Sequence, residues 1–85
     1  MHPDLLLYTD SSPNGFKATI ALEELALPYA LHHVRIDRRE HRQPAFLAHH
    51  PHGRIPVLVD SAAGITVFES AAILLYLAHK TGRLL

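Results

Sequence analysis

The segment SSPNGFK, residues 11–17, sets two hydroxyls, a proline, an amide and a glycine where a short apolar run gives way to a helical pattern. Such a strand-to-helix turn suits thiol chemistry. Positive potential at a helix N-terminus favours an anion and lowers the pKa of a thiol, about 8.5 when free. Folds that use this kind of turn for redox work place a Cys-x-x-Cys pair there, yet this chain has no cysteine. Any sulfur handled at the turn must therefore come from outside the chain. Ser12 offers a hydroxyl and Asn14 an amide as hydrogen-bond donors, and Gly15 would let the backbone approach a ligand closely. The plainer use of Ser12 and Asn14 is to cap the helix, with Pro13 near its first position.

A second candidate is Glu69-Ser70, which opens the last apolar run. Unpaired N–H groups at a helix start suit a carboxylate. The plainer reading is that Ser70 caps and Glu69 complements the helix dipole. Eight histidines raise the question of a metal. His49, His50 and His52 cluster in HHPH, but neither a cysteine nor a carboxylate joins them. His32 and His33 are neighbours on a strand and so point to opposite faces. No specific metal site is expected. Arg35, Arg38, Arg39 and Arg42 are interleaved with Asp37 and Glu40, which reads as a solvated loop rather than a phosphate site.

These groups must be positioned by a small domain. A chain of 85 residues buries roughly 60–65% of its unfolded surface, enough for one core. With 48% apolar and 19% charged residues it has globular composition, and its eight basic and eight acidic side chains cancel. That balance argues against general binding to nucleic acid or a membrane surface. The start, MHPDLLLYTD, has no basic segment ahead of a long apolar run, and AAILLYLA is too short to span a bilayer. A soluble, cytoplasmic protein is the expected setting.

Residues 4–8, DLLLY, read as a strand, and 14–27 as a helix ended by Pro28. YALHHVRI, 29–36, reads as a second strand, making a β-α-β unit with a parallel pair. A polar loop follows over 37–43, then a short helix over 44–50 that opens on Pro44. VLVD and ITVF flank SAAG as an antiparallel hairpin, and 70–80 form a last helix closed by Gly82. The class is α/β, in the order β-α-β-α-β-β-α, with a four-stranded mixed sheet flanked by helices. The last helix is apolar almost all round, and one sheet cannot cover all of it. A partner domain or second chain is expected on its open side.

That order, with SSPNGFK, GRIPVLVD and FESAAILLYLAHKTG in sequence, resembles the N-terminal, thioredoxin-like domain of a cytosolic glutathione transferase. The resemblance runs from about residue 8 to 82 and makes 1–85 one such domain. Such transferases continue into an all-helical C-terminal domain that this chain lacks. SPNGFK and REHRQPAFL make it most similar to the bacterial Nu-class enzymes and the related fungal nitrogen-regulator branch.

The resemblance implies that glutathione brings the thiol as cosubstrate. Ser12 and Asn14 would hold the sulfur and favour its thiolate. The Ile55-Pro56 bond would be cis and present the Ile55 backbone to the cysteinyl residue. Ser70 would take the γ-glutamyl carboxylate and Glu69 the ammonium. His41, helped by Arg54, would reach the glycyl end. His50 and His52 stand where the family usually has asparagines, a change that could alter the turn ahead of Ile55. The implied function is the glutathione-binding part of a transferase or glutathione-dependent disulfide reductase. It would act on a hydrophobic electrophile or a disulfide once a helical domain completes it, and a homodimer or a partner helical domain would cover the last helix. The alternative is a non-catalytic thioredoxin-like module kept for interaction or regulation.

Overall fold

The computed structural model describes residues 3–10, 12–51 and 53–82. Strand β1 (Leu5–Thr9) leads into helix α1 (Pro13–Glu24) and strand β2 (Tyr29–His33). Two 3-10 turns, Ile36–Arg38 and Glu40–Arg42, precede helix α2 (Pro44–His49). Strands β3 (Val57–Asp60) and β4 (Ile65–Phe68) form the hairpin, and helix α3 (Ser70–Thr81) ends the series. The sheet runs β2-β1-β3-β4, with β1 parallel to β2 and antiparallel to β3, and β3 antiparallel to β4. This is the expected mixed four-stranded sheet.

Strand periodicity sorts β1 cleanly: Leu5, Leu7 and Thr9 are buried while Leu6 and Tyr8 are half-buried. Leu5 and Leu7 pack with Leu58 of β3, Ala18, Ala21, Leu22 and Leu25 of the first helical segment, and Ile73 and Leu77 of α3. Helices α1 and α3 therefore share one face of the sheet. Each fully buried leucine or isoleucine there contributes about 1.5–3 kcal/mol by leaving water. On the opposite face Tyr8 meets Phe46 of α2 and His50 just after it, with ring centroids 5.9 and 4.9 Å away.

Two boundaries and one loop differ from the sequence expectation. Helix α1 stops at Glu24, not at Pro28. Ala26 turns to φ 53°, and the Leu27 N–H closes the end on the Leu22 carbonyl at 3.2 Å, a left-handed C-cap formed without the usual glycine. Strand β2 ends at His33, because the Val34 N–H donates to the Thr9 carbonyl at 2.8 Å and Ile36 enters the first 3-10 turn. The polar loop is therefore ordered into two turns. The Arg35 N–H donates to Glu40 Oε1 at 2.7 Å, and the Arg35 guanidinium pairs in bidentate fashion with Asp37 at 2.9 and 2.6 Å.

Among the described residues no helix is long and apolar enough to cross a membrane.

Candidate functional site

Helix α1 begins at the turn that opened the sequence. Ser12 is its N-cap, in extended conformation, and its Oγ accepts the Gly15 N–H at 3.1 Å. Ser11, the other hydroxyl of the segment, lies outside the described residues. Capping occupies a lone pair of the Ser12 oxygen and leaves its proton for donation. Capping and ligand binding are thus compatible at this residue. Asn14 is exposed at the first turn, and its side chain makes no hydrogen bond among the described residues.

Gly15 also has a task within the fold itself. It is buried, and a Cβ there would meet Thr9 Oγ1 and, at 2.5 Å, the Asp10 carbonyl oxygen. The missing side chain lets α1 start hard against the end of β1, so the turn is tight for internal reasons.

The Ile55-Pro56 bond is cis. Pro56 is buried and Ile55 half-buried, and the Ile55 backbone makes no hydrogen bond among the described residues. The turn before it depends on Gly53, at φ 61°, where a Cβ would stand 2.9 Å from Leu47 Cδ2 and 3.1 Å from the His41 carbonyl oxygen. His50 anchors that turn from inside: its carbonyl accepts the Gly53 N–H at 2.9 Å. Its buried ring lies 4.7 Å from Phe46, centroid to centroid. His52 lies outside the described residues.

At the third segment, Glu69 is the N-cap of α3 at φ 70° and makes no side-chain cap bond. A non-glycine residue at positive φ costs of order 1–3 kcal/mol and is held by its surroundings. Here it sets Ser70 as the first helical residue, so Ser70 is not the cap. The Ser70 hydroxyl has no partner among the described residues, and the Glu69 side chain is exposed.

These segments converge. Asn14, Arg54, Ile55, Pro56, Glu69, Ser70 and Ala71 line one cavity of about 230 Å³. Residues 14, 55 and 70 thus meet although more than a dozen positions separate each from the next. Arg54 Nη1 stands 4.0 Å from Glu69 Oε1, with both side chains mostly exposed, so the pair is weakly held. The cavity has a helix N-terminus at each of two walls, one cation and unpaired backbone groups, which suits a short zwitterionic peptide better than an apolar molecule. Ser12 lies at the same turn as Asn14 but not on the cavity wall. His41 is also off the wall: it is half-buried on the second 3-10 turn, and its Nδ1 is buried without a partner among the described residues.

Residues 11–80 match the N-terminal domain of glutathione S-transferases. The chain belongs to this family. It is 44% identical over 71 residues to the protein URE2 of Eremothecium gossypii, a match covering 82% of this chain and 20% of that protein. It is 43% identical over 81 residues to the disulfide-bond oxidoreductase YfcG of Escherichia coli, covering 89% of this chain and 38% of YfcG. Among solved structures, a glutathione transferase from Pseudomonas putida with one glutathione disulfide per subunit is 40% identical at TM-score 0.91, over 98% of this chain and 38% of that one. A Burkholderia graminis glutathione transferase with two glutathione molecules per subunit is 44% identical at TM-score 0.89, over 96% of this chain and 36% of its own. The transferase-like fold expected from the motifs is therefore present, in the branch that includes URE2 and YfcG. The chain spans about a fifth to two-fifths of the length of these relatives.

Two features escaped the motifs. The Asp10 carboxylate bridges from β1 to the far end of β2: its Oδ1 meets His33 Nε2 at 2.5 Å and its Oδ2 accepts the Ile36 N–H at 2.9 Å. Asp60, only 1% exposed, accepts from Tyr76 at 2.6 Å and Lys80 at 2.8 Å. The Asp60 signal was present in the sequence. It follows Leu58 by two on a strand, hence on the same face, and Tyr76 and Lys80 are four apart on a helix. Asp10 and His33 lie 23 positions apart, and nothing local links them.

Proposed function

We propose that this domain binds glutathione and favours its thiolate for attack on an electrophilic carbon or a disulfide. The observation that carries the reading is the convergence of Asn14, Ile55, Glu69 and Ser70 on one cavity. The Asn14 and Ser70 side chains and the Ile55 backbone make no hydrogen bond among the described residues, and the Glu69 carboxylate is held only by Arg54 at 4.0 Å. When bound, glutathione supplies the thiol that the chain lacks. Ser12 and Asn14 donate hydrogen bonds toward the sulfur, at the positive end of α1. The Ile55 N–H and C=O pair with the cysteinyl backbone as one added sheet rung. Ser70 binds the γ-glutamyl carboxylate through its hydroxyl and N–H, and Glu69 receives the ammonium. His41 and Arg54 serve the glycyl end; Arg54 is on the cavity wall, and His41 would have to reach from the adjacent turn. The glutathione carried by similar structures, and the disulfide chemistry in the name of YfcG, support the reading.

Catalysis in this reading is completed by a helical domain or a second copy of the chain lying over α1 and α3. Phe16 and Ile20 of α1 and Leu75 of α3 leave 52, 59 and 64% of their surface exposed. Residues 1–85 act as one thiol-binding unit.

Calorimetric titration with reduced glutathione tests this directly. Saturable binding is expected, weakened about tenfold in Ser70→Ala, since a hydrogen bond to a charged group contributes about 1.5–3 kcal/mol. No heat at millimolar glutathione, or equal affinity in Ser70→Ala, would contradict it.

A further inference from the structure

The Asp10–His33 contact stands directly behind the thiol turn. The Asp10 carbonyl accepts the Ser12 N–H at 2.9 Å. Its carboxylate holds the other end of the connection through Ile36 and His33, with 16% of the Asp10 side chain and 52% of that of His33 exposed. The pair borders a cavity of about 260 Å³ whose remaining walls are Thr9, Phe16, Thr19 and Leu31. Among the described residues, Asp10 and His33 are the titratable groups on that wall. Arg35 lies close enough to interact with Asp10 but is engaged by Asp37, and Glu40 is turned to the Arg35 backbone.

Asp10 precedes Ser12 by two residues, and a carboxylate near a developing thiolate opposes it, because like charges disfavour ionisation. A hydrogen bond from imidazole offsets that charge. We propose that Asp10 and His33 form an electrostatic clasp on the thiol turn, in which Asp10 positions Ser12 through the backbone and His33 masks the charge that this position brings. The inference rests on the glutathione reading above. It makes Asp10 a positioning residue with an electrostatic side effect, and His33 the group that partly offsets the side effect.

The two side chains then have opposite effects on the ligand. In Asp10→Asn the amide still accepts from Ile36 and the charge is gone. The bound thiol should ionise more readily, its pKa falling by about half a unit, or roughly threefold more thiolate over thiol near the midpoint. In His33→Ala the carboxylate is uncovered, and the thiol pKa should rise by a similar amount. The double variant should resemble Asp10→Asn. Thiolate absorbance of bound glutathione against pH gives these values, and circular dichroism checks that each variant keeps the native fold. Shifts of opposite sign support the clasp. Shifts of the same sign, or none, in variants that still bind glutathione would overturn it while leaving the glutathione reading standing. Failure of the unaltered chain to bind glutathione would overturn both.

Discussion

Ser12 shows how one oxygen can serve fold and ligand together. Its lone pair caps α1 through Gly15, at 3.1 Å, while its proton is free to point at a sulfur. Replacing it with alanine removes both. Ser12→Ala should lose about 1 kcal/mol of stability from the missing cap. It should also raise the pKa of bound glutathione by about one unit, since a hydrogen bond to a charged acceptor contributes about 1.5–3 kcal/mol. Ser12→Thr keeps the hydroxyl and should restore both. Urea denaturation and the pH dependence of thiolate absorbance separate the two effects. A thiol that ionises identically in Ser12→Ala would reduce Ser12 to a cap. Glu69 and Ser70 were legible as a helix opening that suits a zwitterion. Which of the two would cap was not, because the answer lies in the positive φ of Glu69, a strained conformation that no glycine or asparagine announces.

At the scale of elements, β3 and α3 are tied by a charge placed inside. The Asp60 carboxyl lies below its ordinary range, held down first by the hydrogen bond from Lys80 and then by that from Tyr76. Both partners shift upward in return, Lys80 and Tyr76 each through the same bonds to Asp60. Between the lowered folded value and the unfolded value near 3.9, the unfolded chain binds the extra proton. The stabilisation is thus complete above about pH 4 and is lost as pH falls toward the folded value. Asp60→Asn should cost about 2 kcal/mol at neutral pH and flatten the acid limb of stability, read as the urea midpoint against pH. An acid limb as steep as in the unaltered chain would show that other carboxylates dominate.

The same scale shows where local sequence stops informing. The hairpin, α2 and α3 fall where turn residues and apolar spacing put them, because SAAG, Pro44 and Gly82 act through backbone geometry. The end of α1 does not, since Ala26 adopts a conformation that its side chain disfavours. The two 3-10 turns have no apolar period to reveal them. They are made by Asp37 and Glu40 reaching Arg35.

Across the whole molecule, one sheet face carries both helices whose N-termini border the candidate cavity. Both α1 and α3 bury one side in the core and leave Phe16, Ile20 and Leu75 outward. The near-uniform apolarity of the last helix makes that open side legible from residue types alone. The meeting of residues 14, 55 and 70 does not follow from composition or period. Only the motif order points to it, because a cavity is a property of the sheet that juxtaposes its parts. The clasp between residues 10 and 33 has no motif to carry it and emerges from the parallel pairing of β1 with β2, where Thr9 lies opposite His33. The proposed chemistry and the clasp both depend on this one cavity being a glutathione site. The most direct measurement is an NMR titration of the 85-residue chain with reduced glutathione, following backbone amides. Saturable shifts confined to the neighbourhoods of Asn14, Ile55 and Ser70 are expected. Amides that stay in place at millimolar glutathione, or that move only elsewhere on the domain, would contradict a glutathione site here.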